Sequence, residues 1–356
     1  MRGATIIGTG RYVPERVLSN HDLEQMVETS DEWIRERTGI RERRIAAPDQ
    51  ASSDLAFLAS QRALAMARIE PTQIDHIIVA TTTPDRILPS CACTLQQKLG
   101  ASGTAAYDVF AACTGFVFGL GIANGLVAGG VVDTVLVVGV EVLSRITDYT
   151  DRNTAVLFGD GAGAAVVKAC EPGRGILAVD MHSDGELGAV LEIPSGISRN
   201  PASEATVHAH EHYIHMQGKK LFPFAVRSME DSMRKVMATA GWSPADLDLC
   251  IPHQANLRII DAVRERLAIP EERMVVNIDR YGNTSSASIP IALDECVRAG
   301  RLGPGDKLGL CAFGGGATWG AATVSWTAER LTLEAHDTTG GTIGAVARGA
   351  GEGVTR

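Results

Sequence analysis

The feature that most constrains this chain is a unit that occurs twice, about half a chain length apart. In the first copy residues 107–110 (YDVF) read as a strand, residues 111–115 (AACTG) as a tight turn, and an apolar, small-residue helix follows to about Gly129. The strand at residues 134–140 closes it. In the second copy residues 275–279 (VVNID) read as the strand, residues 281–285 (YGNTS) as the turn, and a helix runs to about Ala299. The strand at residues 307–313 closes it. A weaker echo pairs residues 74–80 with residues 247–252. Strands alternating with helices predict an α/β chain. A period of half the chain is too long for a solenoid, whose repeats run ~20–50 residues, and predicts two similar halves meeting at a shared centre.

The join is placed in the Gly/Pro-rich stretch at residues 171–175. Residues 1–173 and 174–328 are expected to form the two halves. Residues 329–356 are rich in Gly and Thr and poor in large apolar side chains, so this tail is expected to lie outside the core. The 356 residues, 45% hydrophobic, suffice for a large core. No apolar run reaches the ~18 residues of a membrane span. The N-terminal MRGATII reads as a strand, not a signal peptide, and the expectation is a cytoplasmic protein. Seven scattered cysteines suit reduced thiols better than a disulfide framework. A net charge of −9 argues against non-specific nucleic-acid binding.

Three residues stand out. Cys113 follows a strand and opens a helix, where unpaired backbone N–H groups and the helix dipole would lower a thiol pKa. Alone, it reads equally as a nucleophile or as a buried structural cysteine. His253, in PHQAN at residues 252–256, ends an apolar strand and so faces the usual ligand crevice of an α/β sheet. Alone, it is balanced against a satisfied, half-buried histidine. Asn283 occupies the turn of the second unit, and alone a Gly-Asn-Thr turn is ordinary. Together they form a Cys/His/Asn set with each member at a strand-to-helix turn. The run Gly314, Gly315, Gly316 follows the last strand of the second unit, where backbone N–H groups can approach a ligand oxygen.

With these motifs in view the chain resembles the β-ketoacyl-[acyl-carrier-protein] synthase III family. The matching segments are ACTG around Cys113, PHQAN, YGNTS and AFGGG, with SDEWI at residues 30–34, RTGI at 37–40 and FGDGAG at 158–163. They keep the family's order from the first strand to about Trp326. The resemblance implies a thiolase-like five-layer α-β-α-β-α sandwich and a homodimer. It implies that Cys113 takes an acyl group from acyl-CoA, with the N–H groups of Cys113 and Gly315 as oxyanion hole. His253 and Asn283 would donate hydrogen bonds to the thioester carbonyl of malonyl-acyl carrier protein as CO₂ leaves. No cofactor is implied, since the CoA thioester is a substrate. Trp33, Arg37, Thr38 and Arg152 would meet the CoA nucleotide end. Phe222, Ala255 and Asn256 would line the pantetheine tunnel. Leu88 would gate the acyl pocket across the dimer.

Arg258, Arg264 and Arg266 follow His253 on a helix and are candidates for docking an acidic carrier protein. Ordinary solvated helix charge is the alternative. Arg41, Arg43 and Arg44 form a second basic cluster, serving the CoA phosphates or no ligand. His208, His210 and His212 alternate, which on a strand puts them on one face. With His215 they could bind Zn or Ni, but the expectation is a solvent-facing strand and no metal. Competing functions are starter loading in a specialised polyketide pathway, acyl transfer to an alcohol or amine, a biosynthetic thiolase, and non-catalytic CoA or carrier binding. Asn283 argues against simple acyl transfer, the register of Cys311 against a thiolase, and the intact Cys/His/Asn set against a binding protein.

Overall fold

A computed structural model describes residues 2–331. The part of the tail from 332 to 356 lies outside the described residues. Nine of the strands among the described residues form the two larger sheets. The first contains β1 (Gly3–Tyr12), β2 (His76–Ala80), β3 (Ala105–Val109), β4 (Thr134–Glu141) and β5 (Gly161–Cys170), in the order β1-β5-β4-β2-β3. The second contains β6 (Gly175–Ser183), β7 (Leu249–Pro252), β8 (Lys307–Gly314) and β9 (Thr318–Ser325), in the order β7-β8-β9-β6. The seven longer helices that carry the argument are α1 (Asp31–Thr38), α2 (Ser52–Ala67), α3 (Cys91–Leu99), α4 (Gly115–Ala128), α5 (Gly218–Ala240), α6 (Leu257–Leu267) and α7 (Ser288–Arg298).

The repeat holds at the level of pairing. In the first sheet β2 runs parallel to β3 and β4, and β5 is antiparallel to both β4 and β1. In the second sheet β7 runs parallel to β8, and β9 is antiparallel to both β8 and β6. The strand expected at residues 275–279 is the exception. Only Met274 bridges to Cys250 beside β7, and residues 278–281 turn into a short helix. The physical reason is Gln254. Its buried amide donates to the carbonyls of Pro252 and Val275 at 2.9 and 3.0 Å, and its oxygen accepts from the Asn277 N–H at 2.9 Å. A side chain thus satisfies backbone groups that a longer strand ladder would otherwise pair.

Side-chain alternation sets the layers. Ile77 and Val79 of β2, with Leu136 and Val138 of β4, pack on one side against α2 and α3. Ile78, Val135 and Val137 point the other way, onto α4 and α7. Leu308 and Leu310 of β8 meet that same middle layer. Cys311 and Phe313 point outward to α5 and α6. The result is five layers, α2/α3, sheet, α4/α7, sheet, α5/α6. Arg330 and Leu331 depart from the expectation that the tail begins clear of the core. Leu331 packs against the middle cluster, and Arg330 donates to the Gly300 carbonyl at 2.7 Å and pairs with Asp306.

Candidate active site

The three candidate residues converge on one turn, residues 285–288, between the short turn after Tyr281 and α7. The Ser285 N–H donates to Asn283 Oδ1 at 2.8 Å, which leaves the Asn283 amide NH₂ as the outward donor. The Ser285 hydroxyl counters part of the rise in the Cys113 thiol pKa. The Ser288 hydroxyl lies 2.7 Å from His253 Nδ1. Asn283 is further fixed by its backbone, whose N–H donates to the Leu157 carbonyl at 2.8 Å and whose carbonyl accepts from Gly159 at 3.0 Å. It follows a short helix, not a strand, so the expectation of a strand-to-helix turn holds for Cys113 and His253 but not for Asn283.

His253 extends β7, and its N–H donates to the Cys311 carbonyl of β8 at 2.7 Å. The ring is buried, and burial pushes its pKa down to about 3. It is therefore neutral across the physiological range. Ser288 Oγ already accepts from the Gln254 N–H at 3.4 Å, so its proton is directed at Nδ1. A neutral imidazole accepting at Nδ1 carries its hydrogen on Nε2, where it is a donor. Ser288 was not legible in the sequence as a functional residue; its only signal is its place on the first turn of α7.

Cys113 sits in the turn Ala112–Thr114 ahead of α4 and is buried. The expectation of a lowered thiol pKa is corrected: burial pushes it up to about 12, and the Ser285 hydroxyl offsets only part of this. The end of β8 reaches the nucleophile closely. A Cβ on Gly314 would lie 2.7 Å from the Cys113 nitrogen, so this position admits no side chain. The Thr318 hydroxyl ties the loop down through Ala111 O at 3.0 Å, Gly315 O at 3.1 Å and Thr114 Oγ1 at 2.6 Å. This places the Gly315 backbone beside the Cys113 turn.

Several outer residues share one surface. Arg152 lies over the Trp33 ring at 4.8 Å, and Arg258 over Phe222 at 5.8 Å. Asn256 caps α6 and donates to the Arg37 carbonyl at 3.0 Å, joining α6 to α1. Ala255 is half-buried beside it. Thr38 departs from this group. It is buried, donates to the Ile34 carbonyl at 2.6 Å and accepts from the Ile40 N–H at 3.0 Å, so its hydroxyl ends α1 instead of facing a ligand. Arg43 is likewise internal, donating to Leu18 O, Asn20 Oδ1 and Val156 O, with its pKa lowered to about 10 by burial. Arg264 leans on Asp261 and Glu265, and Arg266 pairs with Glu230 at 3.0 Å.

The histidine strand is not formed. His208 ends a helix (Glu204–His208), and His210 follows with φ of 58°. His210 binds Asp148 at 2.7 Å and His212 binds Thr206 at 2.9 Å, so the rings have separate partners. Among the described residues no group of three His, Cys, Asp or Glu side chains is arranged to hold a metal.

A buried thiol, a neutral histidine and an asparagine amide held by one turn between two similar halves define a thiolase-like condensing enzyme. Comparison with known proteins narrows this. Residues 107–185 match the family description 3-oxoacyl-[acyl-carrier-protein (ACP)] synthase III, and residues 237–326 match its C-terminal part. A β-ketoacyl-[acyl-carrier-protein] synthase III of Caldanaerobacter subterraneus subsp. tengcongensis is 52% identical over 324 residues, covering 91% of this chain and 98% of that one. The crystal structure of 3-oxoacyl-[acyl-carrier-protein] synthase III from Aquifex aeolicus VF5 superposes with a TM-score of 0.84 at 47% identity, covering 91% and 100% of the two chains. The priming β-ketosynthase of the R1128 polyketide pathway superposes at 0.85 with 36% identity, covering 92% and 97%. The chain belongs to the β-ketoacyl-[acyl-carrier-protein] synthase III family.

Proposed function

We propose that this chain condenses a short acyl-CoA with malonyl-[acyl-carrier-protein], giving a 3-oxoacyl-[acyl-carrier-protein], CO₂ and CoA, and so starts fatty-acid chains. The observation that carries this reading is the turn at residues 285–288, which holds the thiol, an Nε2–H donor and an amide donor at once. The Cys113 sulfur attacks the acyl-CoA carbonyl and releases CoA. The N–H groups of Cys113 and Gly315 take the oxyanion. Malonyl thioester then enters with its carbonyl oxygen against His253 Nε2–H and the Asn283 amide. Two neutral donors stabilise the enolate left by CO₂, and that carbanion attacks the acyl-Cys113. No cofactor takes part in these steps. The test is a panel of acyl-CoAs, with the intact mass of the protein as readout, followed by malonyl-[acyl-carrier-protein] and product analysis. A short-chain acyl adduct converted to a 3-oxoacyl carrier supports the reading. An adduct passed to an alcohol or amine without loss of CO₂ sinks it. The similarity to the R1128 priming enzyme keeps starter loading in a specialised pathway as the second reading, and the preferred acyl group separates the two.

Trp33, Arg37 and Arg152 receive the CoA nucleotide, and Phe222, Ala255 and Asn256 its pantetheine arm. Thr38 supports them from inside. Arg258 is exposed at the start of α6, while Arg264 and Arg266 already face carboxylates, so Arg258 dominates carrier docking. Arg258→Glu is expected to weaken turnover of malonyl-[acyl-carrier-protein] by at most a few kcal/mol, with the loss shrinking as salt rises. Malonyl-CoA should be affected far less. Steady-state kinetics on both substrates checks this; equal losses would place Arg258 in the tunnel instead.

The free edge of the first sheet at β3 and the exposed Ile87, Leu88 and Phe110 support a homodimer. Leu88 is 84% exposed on the single chain and thus free to close a partner's acyl pocket. Leucine leaves room that phenylalanine would fill. Each buried CH₂ contributes about 0.8 kcal/mol, a several-fold preference per carbon until the pocket is full. Butyryl-CoA is therefore expected to acylate Cys113 at least as well as acetyl-CoA, and Leu88→Phe to restore the acetyl preference. An unchanged chain-length profile in Leu88→Phe would remove Leu88 from the pocket.

A further inference from the structure

Residues 81–90 join the end of β2 to the start of α3 and carry Leu88. Ile87 and Leu88 stand exposed at the tip. Among the described residues no hydrogen bond holds residues 86–89 themselves, so the place of the tip is decided by the ground on either side of it. That ground is built from carboxylates. At the root lies Glu141, the buried last residue of β4. The Thr82 N–H donates to its Oε1 at 3.2 Å and to its Oε2 at 3.1 Å. Oε2 also takes the hydroxyls of Thr82 at 3.0 Å and Thr83 at 2.7 Å, and Oε1 takes that of Ser285 at 3.2 Å.

Closer to the tip, Asp85 seats the loop on α2. Ala51, which precedes that helix, has no side-chain acceptor, and Asp85 supplies one. It takes the Ser53 N–H at 2.8 Å and the Ser53 hydroxyl at 2.6 Å. Beyond the tip the chain re-enters the fold at α3. Here Asp108, from β3, accepts from the Cys91 N–H with Oδ2 and from the Ala92 N–H with Oδ1, both at 2.8 Å. Ser90 Oγ takes the Cys93 N–H at 3.2 Å, so the first turn of α3 is fully supplied. Cys91 closes the base, since its sulfur lies 3.9 Å from Asp85 Oδ1 while its N–H is on Asp108. Each side of the finger at residues 86–90 thus ends on a helix N-terminus held by a carboxylate, where negative charge is favoured and the hydrogen bonds are strong.

We propose that Asp85 and Asp108 are positioning residues for acyl-chain length, holding the Leu88 finger preformed so that the pocket it closes ends in a wall that does not yield. The inference rests on the reading of Leu88 as the end of a partner's acyl pocket. A loose tip would give way to a longer acyl chain at little cost, because its own order would be paid for only on contact. A tip fixed at both sides must instead be pushed off two carboxylate-held helix ends. An acyl chain that is too long is then rejected by residues that never touch it. Asp108→Asn keeps the size of the side chain but puts an NH₂ where one acceptor oxygen stood, donor against the N–H of Cys91 or Ala92, and removes the charge. Asp85→Asn does the same at Ser53.

The experiment measures single-turnover acylation, by intact mass, with acetyl- through octanoyl-CoA in wild type, Asp85→Asn, Asp108→Asn and Leu88→Phe. The readout is the ratio of the octanoyl to the butyryl rate. Loss of folded protein lowers every acyl-CoA together and leaves this ratio where it was, so a merely structural role does not move it. In each aspartate variant the ratio is expected to rise on the order of 10-fold, the discrimination that one methylene ordinarily carries in a firm pocket. Leu88→Phe should move the profile the other way, toward acetyl. The two aspartates lie on opposite sides of the finger, so Asp85→Asn carries the test should Asp108→Asn fail to fold. A ratio that stays at the wild-type value in an aspartate variant, with the Leu88→Phe profile shifted, overturns the inference for that residue and leaves Leu88 in the pocket. An unchanged profile in Leu88→Phe overturns the reading of Leu88, and the inference with it.

Discussion

Cys113→Ala is expected to abolish acyl transfer from acyl-CoA, lowering overall turnover on the order of 10⁵-fold or more, while malonyl decarboxylation persists. On the proposed mechanism the acyl group passes between the two substrates on this sulfur, so ping-pong turnover is lost without it. The proposed decarboxylation donors sit on other elements, His253 beyond β7 and Asn283 ahead of α7. Removing one sulfur from a buried turn also leaves the Ser285 N–H bond to Asn283 in place. Intact mass after incubation with acetyl-CoA, and CO₂ release from malonyl-[acyl-carrier-protein], check the two halves. An acyl adduct in Cys113→Ala would place the nucleophile elsewhere. The raised thiol pKa sharpens the case. Burial favours the protonated thiol, so activation during attack is expected.

Much of this arrangement was legible in the sequence because periodicity is local. Near-continuous apolar runs in β2, β4 and β8 announce sheets buried on both faces, and the doubled strand-turn-helix unit announces the two halves. The Cys/His/Asn set stood out only through the combination of its three turns, since no member is distinctive alone. Other features depend on contacts between distant segments. Gln254 ends the ladder after Met274 through a side-chain amide that no propensity reveals. Arg43 reads as one of three surface arginines, yet it is drawn inward by two backbone carbonyls and Asn20. The alternating histidines imply a strand only if the backbone is extended, whereas Ser203 caps a helix just before them. Glu141 ends an apolar strand, where a charged residue ordinarily marks the exit to solvent; only the fold encloses it with Thr82, Thr83 and Ser285. The thiol pKa was misjudged for the same reason, because desolvation by the whole core outweighs the local helix end.

His253→Ala and Asn283→Ala are each expected to leave Cys113 acylation close to wild type and to lower condensation by about 10²–10³-fold, the usual cost of one preorganised donor to a developing oxyanion. On the proposed mechanism both donors act on the same thioester oxygen, so the double variant should lose less than the product of the two single losses. The proposed role of the imidazole as a neutral donor sets the expected pH dependence. With its pKa pushed down to about 3, His253 stays uncharged in the fold, so condensation on a pre-acylated enzyme should be level between pH 5.5 and 8 as far as His253 is concerned. Stability behaves differently. A histidine that is harder to protonate folded than unfolded favours the unfolded chain once the pH drops below the unfolded value near 6.5, and this loss grows down to about 3. His253→Ala should therefore flatten the acid limb of the unfolding curve while it removes condensation. Pre-acylating each variant with acetyl-CoA and then adding malonyl-[acyl-carrier-protein] isolates the second half-reaction. Condensation at the wild-type rate in Asn283→Ala, or a condensation limb near pH 6.5 that disappears in His253→Ala, would show that the two side chains do not act as a neutral donor pair.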